Sequence, residues 1–344
     1  FELDRKAPHE AARLYARRAA LTTSGRDAAR WYFKGAVLTR ETPREVEYLA
    51  QALEKDGTYV PARMRRATLN ETARPRDAFA DFEVVLAADP NDVDVQEAQL
   101  DTLDVTRRAA FAALNSGQFD AARRLLGRYT ANRPTDLEAQ LQLATLHRRA
   151  GALEPLVDLL GEVWPRLEGQ ARTAARREFA EGALSLGRTA ASVEALRSIL
   201  TDEPADAWAA ARLLPLLPAD DAHATERLDL ISRLIPFQNG DAKADMLARR
   251  AELYRGAGNL DAARADVLDA AQESSQPVPL YRTLAELNRQ ALDEGGEINA
   301  WAQMLQRVPG DELARRDAIE RLFSLGRSRL SAGDATHAER AFET

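Results

Sequence analysis

The chain of 344 residues contains no cysteine, and only 6% of its residues are aromatic. The lack of cysteine excludes a disulfide framework and every zinc site built on thiolates. An excess of positive charge is also lacking, since 47 Lys and Arg stand against 54 Asp and Glu, a net charge of −7. We therefore do not expect a nucleic-acid partner. Because 45% of the residues are apolar and the charge is mixed, we do not expect an intrinsically disordered chain either.

Long hydrophobic runs are missing as well. The most apolar stretch, residues 213–217, is interrupted by Pro215 and is far shorter than the roughly 20 residues that a membrane-spanning helix needs. We therefore expect this part of the protein not to span a membrane. The sequence begins at Phe1 and shows no signal peptide, from which we expect a processed form or a fragment of a longer protein.

Strand patterns are scarce, whereas Ala, Leu and Arg recur at helical spacing between short breaks. Each typical break contains a glycine and is followed by roughly a dozen helical residues and then a proline or a polar turn. The breaks lie at Gly117, Gly151, Gly187 and Gly258. This alternation predicts an all-α fold built from helical hairpins.

The hairpins repeat along the chain. Gly117 and Gly151 lie 34 positions apart. A small residue also stands twelve positions before a proline in three places, at Ala78 and Pro90, Ala122 and Pro134, and Ser192 and Pro204. A period of about 34 residues is the signature of one kind of stacked helical repeat.

On these residues the chain resembles the tetratricopeptide-repeat (TPR) superfamily. The clearest copy, residues 244–277, follows the family's order of large, small, aromatic and turn positions with Leu247, Ala251, Tyr254, Gly258, Leu260, Ala263, Val267 and Ala270. Further copies span 59–92, 103–136, 137–170 and 173–206, and a weaker one near the start contains Trp31, Gly35, Leu49 and Ala52. The resemblance implies a right-handed superhelical solenoid of antiparallel helix pairs.

The places where the sequence departs from the repeat pattern determine how we predict the array to be organised. We predict a single array over residues 1–344, with regular repeats at about 59–206 and 244–277 and irregular hairpins at about 207–240 and 278–310. Because the last copy lacks a polar cap, we expect the array to continue past position 344.

Ten extra residues, 93–102, separate the repeat that ends at position 92 from the repeat that begins at position 103. They predict an unusually long helix from about Val93 to Leu114, with Asn91 or Asp92 as its N-cap.

No catalytic constellation is visible. The four histidines, His9, His147, His223 and His337, are scattered singly, and neither a nucleophile elbow nor a phosphate-binding loop occurs. We therefore predict no enzyme, no cofactor and no metal site. An enzyme with a site in one of the irregular hairpins is the alternative.

In TPR proteins the first helices of the repeats line a concave face that touches ligands. Carried over slot by slot, the resemblance implies the partner-binding candidates Arg63, Asn70, Arg107, Phe111, Arg148, Arg177, Glu181, Glu252 and Arg255. The family's Lys/Asn clamp for a chaperone tail is absent from these slots. The alternative is a solvated face whose charges form internal ion pairs, each contributing under about 1 kcal/mol.

The resemblance implies a non-enzymatic scaffold whose partner is another protein. Similar degenerate arrays form the periplasmic arms of bacterial porins that export exopolysaccharide. That likeness implies a periplasmic protein that recruits a polysaccharide-modifying enzyme and contacts the polysaccharide. A cytoplasmic TPR regulator or assembly factor is the alternative.

Overall fold

The structure, a computed structural model, describes residues 7–343, apart from the side chains at positions 97 and 337. The described residues form twenty α-helices and no strand, which confirms the predicted all-α class. The chain divides into two compact units, residues 1–175 and 176–344. The single array over 1–344 and its right-handed superhelix stay predictions.

The helices of the first unit are 5 to 14 residues long and are joined by short turns. They are α1 (Pro8–Leu21), α2 (Gly25–Leu38), α3 (Pro43–Lys55), α4 (Val60–Asn70), α5 (Pro75–Ala87), α6 (Val93–Glu97), α7 (Thr102–Asn115), α8 (Phe119–Asn132), α9 (Leu137–Arg149) and α10 (Leu153–Val163). A 3-10 turn, Trp164–Arg166, precedes α11 (Gly169–Ser185), within which the first unit ends.

The second unit continues with helices of 7 to 20 residues. They are α12 (Thr189–Asp202), α13 (Ala207–Leu213), α14 (Ala224–Leu234), α15 (Gly240–Gly256), α16 (Leu260–Glu273), α17 (Val278–Gln290), α18 (Glu294–Arg307), α19 (Glu312–Ser331) and α20 (Ala335–Glu343). Three 3-10 turns flank α13 and α14, and two of them contain Pro215 and Pro236. Proline lacks the N–H that an α-helix needs, so residues 207–240 cannot form two full-length helices.

The hairpin turns explain the glycine spacing. The glycine after the first helix of a pair adopts the left-handed conformation, with φ of 79° at Gly117, 66° at Gly151, 73° at Gly187, 75° at Gly258 and 80° at Gly333. The next amide then donates to a carbonyl five residues earlier, as Gln118 does to Ala113 at 2.8 Å. This bond satisfies a carbonyl at the helix end that would otherwise lack a partner.

The same turn closes the hairpin of α17 and α18 without a glycine. Leu292, 34 positions after Gly258, has φ of 59°, and the amide of Asp293 donates to the Asn288 carbonyl at 2.9 Å. The irregularity predicted at 278–310 was based on Gly295 and its neighbour. In the structure these glycines lie in the first turn of α18, whose N-cap is Asp293.

Small residues occupy the helix contacts that the repeats predicted. Ala251 on α15 is 2% exposed and Ala263 on α16 is fully buried, and both belong to one buried cluster with Val267. Two helices approach closely only where one of them offers a small side chain. The burial of these small residues is what the predicted frame of this copy requires, and the bounds of the repeat stay a prediction.

Side-chain hydrogen bonds show that a helix pair is antiparallel. The Ser192 hydroxyl near the start of α12 donates to the Ala180 carbonyl at 2.9 Å. Arg176, earlier on α11, donates to Asp202 at the far end of α12 at 2.7 Å. Residues earlier on α11 therefore contact residues later on α12, so the two helices run antiparallel, as the predicted pairing requires.

The predicted long helix from Val93 to Leu114 is wrong. The short helix α6 ends before Gln99, whose φ of 47° is left-handed and cannot continue a helix. A new helix then begins after Asp101, whose carboxylate accepts a hydrogen bond from the Leu103 amide at 2.9 Å. Residues 89–101 form a separate segment, which we call the strap.

Candidate interaction surface

A groove of about 890 Å³ lies in the first unit. Helices α1, α2 and α4 and the end of the strap supply its sides. The aromatic lining residues are Tyr15, Trp31, Phe33 and Tyr59; the basic ones are Arg18, Arg30, Lys34 and Arg65; the apolar ones are Val37, Leu38, Pro61, Met64, Ala98 and Leu100. Its lining also includes Thr68 and no carboxylate. This volume is in the range of sites that hold ligands in proteins.

Trp31 forms the centre of this lining. Its ring stacks against Tyr15, with centroids 5.6 Å apart and planes 19° apart. The Arg18 guanidinium carbon lies 4.0 Å from the indole centroid, and the Lys34 ammonium lies 4.6 Å from it. Residues three apart share one helix face, so Lys34 lies beside the Trp31 ring of its own helix α2, whereas Arg18 reaches the same ring from α1.

The four basic residues of the groove differ in how their charge is compensated. Arg30 donates to Asp94 at 2.6 Å, and the Arg65 Nε donates to Glu45 at 2.6 Å. Within residues 7–343, Arg18 and Lys34 form no ion pair with a carboxylate. The groove therefore carries two uncompensated positive charges on a chain whose net charge is −7.

Three of the arginines predicted to bind a partner form ion pairs within the protein. Arg63 donates to the buried Asp81 at 2.6 Å, and Arg107 donates to Asp136 at 2.8 Å. Arg177 donates to Asp206. Such pairs link neighbouring helices, as the alternative of internal ion pairs expects, and a partner-binding role for these arginines stays a prediction.

Two of these aspartates have a second structural role. Asp136 accepts from the Ala139 amide and Asp206 accepts from the Ala209 amide, so each caps a helix. Burial by itself would raise the pKa of Asp136, but the bonds from Ala139 and Arg107 hold this pKa below its usual value. Arg107 and Arg177 each lie at the fifth position of a predicted repeat, and Asp136 and Asp206 each lie at the last position of the same repeat. This recurring pair of an arginine and an aspartate 29 positions later is a sequence pattern that could have indicated the ion pairs.

The remaining candidates are spread over both units. Phe111 lies 4.7 Å beneath the Arg107 guanidinium, Glu181 pairs with Arg212 at 2.9 Å, and Glu252 pairs with Arg255 at 2.6 Å. Asn70 is the half-buried last residue of α4, and Arg148 is exposed in the last turn of α9. Their common place on a concave face stays a prediction.

The groove itself was not predicted. Trp31 was assigned only to the frame of a weak repeat, and Tyr15 and Arg18 were not considered. An aromatic residue followed three positions later by a cation, on two successive helices, is the signal that could have pointed to it.

Two kinds of feature are missing from residues 7–343. No helix there combines the length and apolarity needed to cross a bilayer. No group of three or more His, Asp or Glu side chains in this part of the chain could hold a metal ion.

No known family profile matches the chain, and no curated protein matches it. Among solved structures, the TPR domain of P58(IPK) is similar at 15% identity and a TM-score of 0.29, over 94% of this chain and 99% of that one. A TPR protein of Parabacteroides merdae is similar at 11% identity and a TM-score of 0.31, over 81% of this chain and 99% of that one. A thermophilic TPR protein of Thermus thermophilus is similar at 18% identity and a TM-score of 0.25, over 64% of this chain and 99% of that one. At such low TM-scores, the assignment of helix pairs rests on the chain's own packing and hydrogen bonds.

Proposed function

We propose that the protein is a non-enzymatic interaction scaffold that holds a segment of a partner protein in the groove of the first unit. The observation that supports this most is the environment of Trp31, an aromatic ring in an open groove with two uncompensated cations beside it. Aromatic and arginine side chains in such positions supply much of the binding energy at protein interfaces.

The groove favours a partner segment that carries both apolar side chains and carboxylates. Tyr15, Trp31 and Phe33 offer a surface for an aromatic or aliphatic side chain. A guanidinium stacked on a ring keeps its N–H groups free in its own plane, so Arg18 can receive a carboxylate with two hydrogen bonds. A neutral polymer would leave the charges of Arg18 and Lys34 uncompensated.

A labelled-peptide titration tests the proposal. The probe is a fluorescein-labelled peptide about ten residues long, composed of glutamate around one tryptophan and two leucines, and the comparison peptide has glutamine in place of glutamate. We expect the acidic peptide to bind with Kd in the micromolar range and at least about tenfold more tightly than the glutamine peptide.

Matched variants locate the site. Trp31→Ala and Arg18→Glu should each weaken binding of the acidic peptide about tenfold or more. Arg17→Glu makes the same charge change at the preceding position of α1, outside the groove lining. It should leave the Kd of the acidic peptide within about twofold of the value for the unaltered protein. Equal losses with Arg17→Glu and Arg18→Glu would contradict a site at the groove, and failure of both peptides to bind would contradict the proposed function.

We also propose a cellular setting for this scaffold, supported by the resemblance alone. It is a bacterial periplasm, where the partner is a polysaccharide-modifying enzyme of an exopolysaccharide export assembly. Fusing alkaline phosphatase to the native protein tests the location, because this enzyme matures only in an oxidising compartment. An inactive fusion would favour the cytoplasmic regulator or assembly factor.

A further inference from the structure

The strap connects two helices that are already in contact with each other. The helices α5 and α7 before and after it pack together, so both ends of the strap are fixed. Its helix α6 is five residues long, too short to be stable by itself. The position of the strap therefore depends on what its middle part contacts.

Two arginines of α2 hold the middle of the strap. Arg26 Nε and Arg30 each donate to the Asp94 carboxylate at 2.6 Å, and Arg26 also donates to Asp92. Asp94 is 1% exposed, whereas the Arg26 side chain is 49% exposed. The hydrogen bond from Arg26 lowers the pKa of Asp92, so this carboxylate is ionised at neutral pH. We call these contacts the latch.

The strap also forms one side of the groove. Ala98 and Leu100, which follow α6, both line the groove and are half-buried. Arg30 belongs to both the groove and the latch, because it lines the groove and donates to Asp94. Movement of the strap away from α2 would thus remove a wall of the groove next to the helix that carries Trp31.

We propose that the strap is a gate of the groove: latched, it retains a bound segment, and release of Asp92 and Asp94 from Arg26 and Arg30 lets that segment leave. This inference rests on the proposed function for the identity of the bound segment. The strap contains nine of the ten extra residues between two predicted repeats, so the gate gives this insertion a role. The strap packs Val95 and Leu100 against the buried core of the first unit, so opening exposes two half-buried side chains, and regions with few apolar contacts open at low free-energy cost.

Spin labels test the movement of the strap without any ligand. Because the chain has no cysteine, Asp27→Cys on α2 and Val93→Cys on the strap, both exposed, can be labelled selectively in the full chain. We expect a narrow distance distribution that broadens towards longer distances with Arg26→Gln and with Asp94→Asn. Asp89→Asn is the matched control, because Asp89 is on the strap and, among the described residues, its carboxylate accepts only from Asn91.

The dissociation rate of the acidic fluorescein-labelled peptide tests the gate itself. Arg26→Gln and Asp94→Asn should each raise this rate about fivefold or more and change the association rate less, while Asp89→Asn should change neither. Circular dichroism tests whether the variants remain folded. Because the Arg26 side chain is half-exposed, Arg26→Gln should disturb folding less than Asp94→Asn.

Two results overturn the gate. One is an unchanged distance distribution in both latch variants. The other is an unchanged dissociation rate in a variant whose distribution has broadened. If the peptide does not bind the unaltered protein, the proposed function fails, and the distance measurement still decides whether the latch holds the strap.

Discussion

Leu292 occupies a turn position at which five other hairpins use a left-handed glycine, and replacing it should stabilise the protein. Its φ of 59° is left-handed, and its side chain is 89% exposed. The substitution Leu292→Gly therefore removes backbone strain and very little packing. The hydrogen bond from Asp293 to the Asn288 carbonyl can remain as it is.

The magnitude follows from two opposing effects. A side chain in the left-handed region costs roughly 1–2 kcal/mol. Glycine loses about 0.5–1 kcal/mol more conformational freedom on folding. The net gain for Leu292→Gly is then about 0.5–1 kcal/mol, and the reverse change Gly258→Leu should lose a similar amount.

Hydrogen exchange followed by mass spectrometry suits this prediction, because repeat arrays can open locally. Amides of residues 278–307 should exchange about two- to fivefold more slowly in Leu292→Gly. Leu292→Ala is the control, since alanine retains the strain, and it should leave exchange unchanged. The reasoning would be refuted if alanine slowed exchange as much as glycine, or if glycine accelerated it.

Three further predictions concern other contacts. Asp81→Asn replaces the buried negative charge shared by Arg63 and Arg66 with a neutral amide, so it should destabilise α4 and α5 by about 1–3 kcal/mol, measured by exchange of their amides. A Cβ at Gly326 would lie 2.6 Å from the Phe342 ring, so Gly326→Ala should speed exchange in α20 about threefold, and no change would show that the ring moves away freely. The pKa of Asp92 is lowered by Arg26 from the usual 3.8, so this carboxylate supports the latch above that value. The spin-label distribution should stay narrow at neutral and mildly acidic pH and broaden only as pH falls through the lowered pKa; broadening near pH 6 would contradict this.

The sequence predicted the helices where small residues and glycines recur together. Ala263 lies at the helix contact of one hairpin and Gly258 forms its turn, so the spacing of these two residues was enough to predict the hairpin. The helix expected from Val93 to Leu114 was wrong because the left-handed Gln99 and the capping Asp101 interrupt it. Neither residue type by itself excludes a helix.

The candidate site was harder to predict. Arg107 and Arg177 were correctly seen as equivalent, but their pairing with capping aspartates depends on how successive helices pack. The groove depends on the strap reaching α2, a contact between residues more than sixty positions apart. Spacing within one repeat cannot show such a contact.

The central claim is that a partner segment binds the groove around Trp31 and not the predicted positions Arg148 and Arg177. A hydrogen-exchange footprint with the acidic peptide, at concentrations well above its Kd, tests this most directly. We expect slower exchange in residues 15–38 and 93–101 and no change in residues 137–206. Protection confined to 137–206 would contradict the claim.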